Sequence, residues 1–314
     1  MLEFHPDACG VPRSRAGLHQ ILRVFMQSKI PQLNEAMILD KIGRMQHLPL
    51  LCGSLDRLWE LVSNNESADV EEIAGLVRYD QILVAKVLQA ANRSIFGKRK
   101  EIHTLRKAIE LLEVENIRSI CLSSLLNSGF SDTAKMDATH RESLWKHSYI
   151  TARIAGIIVK KRAWMSEEQA YLLGLVHDIG VTAATILFPE PVARLKEPPE
   201  TKKTPRREEE QRFGFLHTRI GKLLAIKWGL PEVFVNVIAF HHQPEQSTKF
   251  KPEVKLIGLA NILACAEDHS ELICDETTCS YLKDLYITEQ EWEECIGSLD
   301  TVKDQAQQIW NLIG

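Results

Sequence analysis

Five histidines and one aspartate between positions 147 and 242 of this 314-residue chain are of the types that hold metals. They are His147, the pair His177-Asp178, His217 and the pair His241-His242, each set beside an apolar helical pattern rather than in a polar loop. Imidazole nitrogens and carboxylate oxygens are the ligands that bind Fe, Mn, Zn or Ni. Neighbouring residues on a regular helix point about 100° apart. A His-Asp pair therefore addresses one ion most easily where Ile179-Gly180 ends the helix. An isolated histidine is more often a hydrogen-bonded structural residue, and a bare His-Asp says little. The string Leu175-Val176-His177-Asp178-Ile179-Gly180, with spaced histidines on both sides, turns the reading toward a site.

The elements that must position these residues read as helices. Apolar Leu144, Ile150, Ile154, Ile157 and Ile158 predict one long helix over residues 140–161. A second, 167–177, is stopped by Gly180, and others follow at 217–227, 231–241 and 253–266. Residues 196–212 mix six basic and five acidic side chains with three prolines, too polar to bury a core, and read as an exposed loop. The tail, 288–313, is amphipathic. In the first half, short helical patterns cover 18–26 and 34–45. Leu48-Pro49 marks an extended stretch, because proline disfavours a helical residue before it. Leu55, Leu58, Trp59 and Val62 line a helical face, and Asp69 with Glu72 has capping-box spacing ahead of Ile73, Leu76 and Val77. The pattern resumes through Ile82, Val84, Val87, Leu88 and Ala91 after a break at Tyr79-Asp80, and a basic loop surrounds Gly97. Two more helices follow at 105–112 and 117–126. Strand signals are scarce, so the class is all-α.

A net charge of −4 and a pI near 6.3 disfavour a nucleic-acid binder, which needs a basic surplus against phosphates. The helices at 105–112 and 117–126 superficially resemble a helix-turn-helix, but the turn is acidic and Arg118 is its one base-contacting candidate. No uncharged apolar run reaches the ~18 residues of a membrane helix, and residues 1–15 lack the apolar stretch of a secretory signal. Seven cysteines without a CxxC pair fit a reduced, cytoplasmic setting, with Cys121 and Cys265 acting as small hydrophobes.

The order His147, then His177-Asp178-Ile179-Gly180, then Phe213-Gly214 with His217 and Gly221, resembles the HD superfamily. Trp228-Gly229-Leu230-Pro231 followed by His241-His242 narrows the resemblance to its HDOD branch, the HD-related output domains of bacterial signalling proteins. Leu48-Pro49, Ala85-Lys86-Val87-Leu88 with Asn92, and the stretch from Ile102 to Leu112 agree with the first lobe of that family. Asp80-Gln81 and Glu113 depart from it, standing where the family often has Asp-Pro and a glycine. The resemblance implies an N-terminal helical lobe (44–130) packed on an HD-type helical lobe (137–265). A helical leader, 1–43, precedes this 44–265 unit and a helical extension, 266–314, follows it.

By the same resemblance, His147, His177 and Asp178 take three of the four ligand positions of catalytic HD phosphohydrolases. Asn261 falls where those enzymes carry a distant aspartate. His217, His241 and His242 match additional ligands of the related HD-GYP phosphodiesterases. Val181 stands in place of their lysine, and Gln243-Pro244-Glu245 in place of the Gly-Tyr-Pro motif. The expectation is a non-catalytic signalling module with a residual pocket for a divalent metal or small ligand. It would act through signalling-protein partners, with the leader and tail as candidate homodimer contacts, and without nucleic acid or membrane. The competing expectation is a metal-dependent phosphohydrolase acting on a nucleotide or cyclic dinucleotide.

Overall fold

A computed structural model describes residues 35–44, 70–94, 101–112, 116–117, 119–124, 138–188, 216–266 and 276–313. The helix read at 18–26, Leu48-Pro49, the face from Leu55 to Val62, Asp69, the Gly97 loop, Glu113, Arg118, the polar stretch 196–212 and Phe213-Gly214 lie outside the described residues. No strand occurs among the described residues, and the fold is all-α. Its first helices are α1 (Glu35–Arg44), α2 (Val70–Val77), α3 (Gln81–Ser94) and α4 (Leu105–Leu112). The HD-type lobe contains α5 (Ala138–Val159), α6 (Glu167–Val176), α7 (Ile179–Leu187), α8 (His217–Trp228), α9 (Glu232–Phe240) and α10 (Lys251–Ala264). The extension adds α11 (Glu276–Asp284) and α12 (Glu289–Ile313).

Local chemistry accounts for several boundaries. The buried Asp80 carboxylate accepts from the N–H groups of Ile82 (2.8 Å) and Leu83 (3.1 Å), two amides that the start of α3 leaves without helical partners. Ser166 does the same for α6 by accepting from Gln169 N–H. Gly229 ends α8 in the left-handed conformation, φ 65°, where glycine meets no Cβ penalty. Pro231 follows and α9 begins directly. Lysines close two helix ends: Lys227 donates to Ile42 O and Gly43 O, and Lys41 to Leu187 O. Each puts a cation on a carbonyl end that carries partial negative charge.

The centre of the lobe is α5, packed against α6, α10 and α12. The two lobes meet where the Trp145 indole donates to Tyr79 O (2.7 Å) and the Tyr171 hydroxyl to Arg78 O (3.2 Å). Gln81, in the position often held by proline, donates its amide across the junction to Thr182 Oγ1 (2.8 Å). A 21-residue stretch, Glu167–Leu187, has a mean hydropathy of 1.5 and is long and apolar enough to cross a membrane, although Glu167, Glu168 and Asp178 lie within it. It is two core helices joined at a bend, 89% buried within the protein. Cys121, Cys265 and Cys295 are free thiols, and burial pushes Cys121 up to about 12. Cys279, unlike these three, is disulfide-bonded.

The extension is part of the core. Leu299, Val302 and Ala306 of α12 are buried, and Trp310 meets Trp145 at 5.5 Å between ring centroids. At the other end of α12, Arg162 grips Glu291 through two hydrogen bonds, 2.8 and 3.0 Å. Leu299→Ala should therefore destabilise the protein by about 2–4 kcal/mol, read as a lower midpoint in urea. An unchanged midpoint would show that α12 only rests on α5.

Candidate metal centre

Six of the residues singled out in the sequence converge. His147 projects from the middle of α5, His177 caps α6, and Asp178 precedes α7 with φ −101° and ψ 21°, outside helical values. His217 opens α8, and His241-His242 follow α9. All are buried except His242, which is partly exposed.

The bend at His177-Asp178 corrects the sequence reading of Gly180. That glycine does not stop a helix; α7 starts one residue before it. Its role is close approach. A Cβ on Gly180 would stand 2.1 Å from His217 O, and one on Gly221 would stand 2.6 Å from Ile238 Cγ2. Two glycines facing each other let α7 and α8 cross with their backbones nearly touching, which carries His217 to Asp178. The bend solves the geometric problem of adjacent ligands: a straight helix would splay the two side chains apart.

Hydrogen bonds from the far side of two rings aim the near side. His177 donates from Nδ1 to Gly174 O (2.7 Å), and His241 from Nδ1 to Val237 O (3.1 Å). A carbonyl only accepts, so the proton sits on Nδ1 and a neutral ring presents a lone pair at Nε2. Both Nε2 atoms face Asp178, at 3.2 Å from Oδ2 and 3.3 Å from Oδ1 respectively. His147 Nε2 lies 3.4 Å from Oδ2 and His217 Nε2 3.4 Å from Oδ1. Despite these distances, neither Asp178 oxygen makes a hydrogen bond, nor does His241 Nε2.

The electrostatics follow from burial. Desolvation pushes His241 down to about 4 and also lowers His147 and His242, contacts with Asp178 restoring only part of the loss. Burial also works to raise Asp178, but the neighbouring His177 and contacts with His147 and His241 outweigh it and hold the carboxyl well below its ordinary value. At neutral pH the centre thus sets an anionic Asp178 among the neutral rings of His147, His241 and His242. Donor atoms packed this closely repel one another unless a cation stands among them.

The atoms fall into two groups that share Asp178: His147, His177 and Asp178 in one, and Asp178, His217, His241 and His242 in the other. Within each group all ligand atoms lie within 4.8 Å of one another. This donor set would suit divalent metal, held by His147, His177 and Asp178 in one group and by Asp178, His217, His241 and His242 in the other. Asn261, on α10, is buried, and its side chain is one of the polar groups beside His147. It brings a neutral amide to the place where the sequence comparison called for a carboxylate. Gly258, one turn before it, lets α10 approach His241: a Cβ there would stand 2.7 Å from His241 O. Val181 is wholly buried in the core of α7 and supplies no cation. Sequence reasoning missed the two aiming carbonyls, Gly174 O and Val237 O. Their signal was present, since each lies three or four residues before its histidine on the same helix.

The HDOD domain model matches residues 48–244 of the chain. A protein of Treponema pallidum (strain Nichols) is 26% identical over 234 residues, 72% of this chain, which spans only 43% of that relative's length. Among solved structures, the MmoQ response regulator from Methylococcus capsulatus superposes with a TM-score of 0.62 at 20% identity, over 81% of this chain and 99% of that one. A virulence factor from Campylobacter jejuni gives 0.60 at 18% identity, over 82% and 95% of the two chains. An HDOD domain protein from Geobacter sulfurreducens gives 0.51 at 20%, over 86% and 96%. At these identities the structural likenesses establish the fold.

Proposed function

The chain belongs to the HDOD family, and on that premise we propose that it is a cytoplasmic signalling module that acts through protein partners and holds divalent metal in its HD pocket without hydrolysing a phosphodiester. The observation that carries this reading is the buried Asp178 carboxylate, which faces four imidazoles at 3.2–3.4 Å and makes no hydrogen bond to any of them. His147, His177 and Asp178 would hold one ion, and Asp178, His217, His241 and His242 a second. Nitrogen-rich sets of this kind suit Fe, Mn, Zn or Ni. Such an ion, when bound, acidifies a coordinated water and polarises a phosphoryl oxygen.

The residues argue against turnover. Among the described residues Asp178 is the one carboxylate of the cluster, and Asn261 adds a neutral group beside His147. A phosphoryl group that gains charge in the transition state needs a nearby cationic donor, and Val181 leaves that position apolar. The fold is one that a response regulator also uses, which agrees with regulation by contact. The six converging side chains favour one competing reading, a phosphohydrolase acting on a nucleotide or cyclic dinucleotide.

Metal content by plasma mass spectrometry, wild type beside His177→Ala/Asp178→Ala, tests the proposal. Near-stoichiometric metal in the wild type is expected, lost in the variant. Nucleotides and cyclic dinucleotides incubated with Mn, Fe or Ni should stay at background. Turnover that disappears in the variant would replace this reading with the hydrolase, and a metal-free wild type would remove the pocket from it.

A further inference from the structure

A cleft of about 230 Å³ opens at the junction of the lobes, between α2, α4 and α6. None of the converging histidines lines it. Its floor is apolar and buried: Leu105, Tyr171 and Leu172. Its rim carries two arginines and two glutamates, Arg78, Arg106, Glu71 and Glu168. Buried apolar surface with a few charged groups at the edge is the usual anatomy of a small-molecule site.

The rim charges are unequally engaged. Arg106 Nη1 pairs with Glu71 Oε1 at 2.7 Å. Glu168 spends one oxygen, Oε1, on the Arg106 backbone N–H at the start of α4 (3.0 Å). Arg78 lies over the Tyr171 ring, 5.3 Å from its centroid, and has no carboxylate partner among the described residues. The bond from Tyr171 to Arg78 O holds that end of α2 against α6. What the cleft offers a ligand is therefore a cation at Arg78, a remaining carboxylate oxygen at Glu168 and an apolar floor.

We propose that this cleft binds a small zwitterion of the free amino-acid class with an apolar side chain. The lining is balanced in charge, so an anion would meet two glutamates and a cation two arginines, whereas a zwitterion satisfies both signs. Size narrows the choice. A cavity of about 150 Å³ accepts benzene, so 230 Å³ takes one ring or a branched aliphatic group with a short polar head. Nucleotide-sized ligands need more room.

Titration calorimetry of the full chain with L-leucine, L-isoleucine, L-methionine and L-phenylalanine tests the proposal, beside 3-phenylpropionate and phenethylamine, which each lack one charge. Saturable binding of at least one amino acid is expected. Arg78→Ala should weaken it about tenfold or more, the effect of losing a charged hydrogen bond. Gly75→Leu should weaken it as much, because Gly75 lines the cleft and a Cβ there meets nothing within 4 Å. That variant also removes a glycine from α2, so its thermal midpoint should equal or exceed the wild type, which separates a filled cleft from a damaged fold. The proposal is overturned by no saturable heat from all four amino acids, by equal binding of either single-charge analogue, or by undiminished binding to Gly75→Leu.

Discussion

Gly180→Ala is expected to lower unfolding stability by at least about 2–3 kcal/mol, the usual effect of forcing extra atoms into a packed core, and to lower metal content with it. The added Cβ would lie 2.1 Å from His217 O and 2.8 Å from Gly221 N, both backbone atoms that no rotamer change can move aside. Relief requires α7 and α8 to separate, and separation draws His217 away from Asp178. Gly297→Ala is the control. A Cβ at Gly297 meets nothing within 4 Å, so that change on α12 should be neutral or stabilise by up to about 1 kcal/mol. Urea titrations of both variants, with metal analysis on the same samples, read the difference. If Gly180→Ala unfolds like the wild type, the two helices do not cross at this distance.

The second large effect is acid lability of the metal-free protein. His241 titrates at about 4 in the fold because burial disfavours its charged form, against about 6.5 for an unhindered imidazole. Between those values the unfolded chain binds more protons than the native one, so stability rises with pH across the window. Stability present above pH ~6.5 is lost as pH falls toward 4, on the order of 3 kcal/mol for this residue alone. His147 and His242 are displaced in the same direction by the same cause and steepen the loss. Asp178 has the opposite chemistry but adds to the trend at lower pH. Its depressed value supports the fold above its unfolded value near 3.9 and ceases to do so as it becomes protonated. Urea midpoints of chelator-treated protein at pH 7.5, 6.0, 5.0 and 4.5 should fall steadily, and His241→Gln should flatten the curve. A midpoint independent of pH in this range would mean that water reaches the cluster freely. In metal-loaded protein, protons compete for the same nitrogens, so release belongs to the same interval.

Helices were legible wherever one face was apolar and the other polar. The spacing of Leu105, Ala108, Ile109 and Leu112 predicts 105–112, and α4 has those bounds. The tail pattern over 288–313 corresponds to α12, and the patterns at 217–227, 231–241 and 253–266 to α8, α9 and α10 within two residues at each end. Legibility failed where the whole circumference is buried. From Ala170 to Thr185 no residue is exposed, so periodicity is lost, and α7 was taken for the stretch after a helix stop. The short α11, polar along much of its length, was not read at all.

The sequence by itself determined the helical class, the family and the identity of every residue in the cluster, because ligand chemistry and helix periodicity are local properties of side chains in order. It also placed an amide at position 261 and valine at 181. Only the tertiary structure decided that the ligands form two groups around one shared carboxylate, that Gly174 O and Val237 O turn two imidazole lone pairs inward, and that Gly180 is a crossing point. It also decided that α2, α4 and α6, from opposite sides of the chain's middle, enclose a charged cleft. Those facts depend on how close two backbones can come. That distance is set by small residues and bends on different helices, and the relation between them is written in no single stretch of sequence.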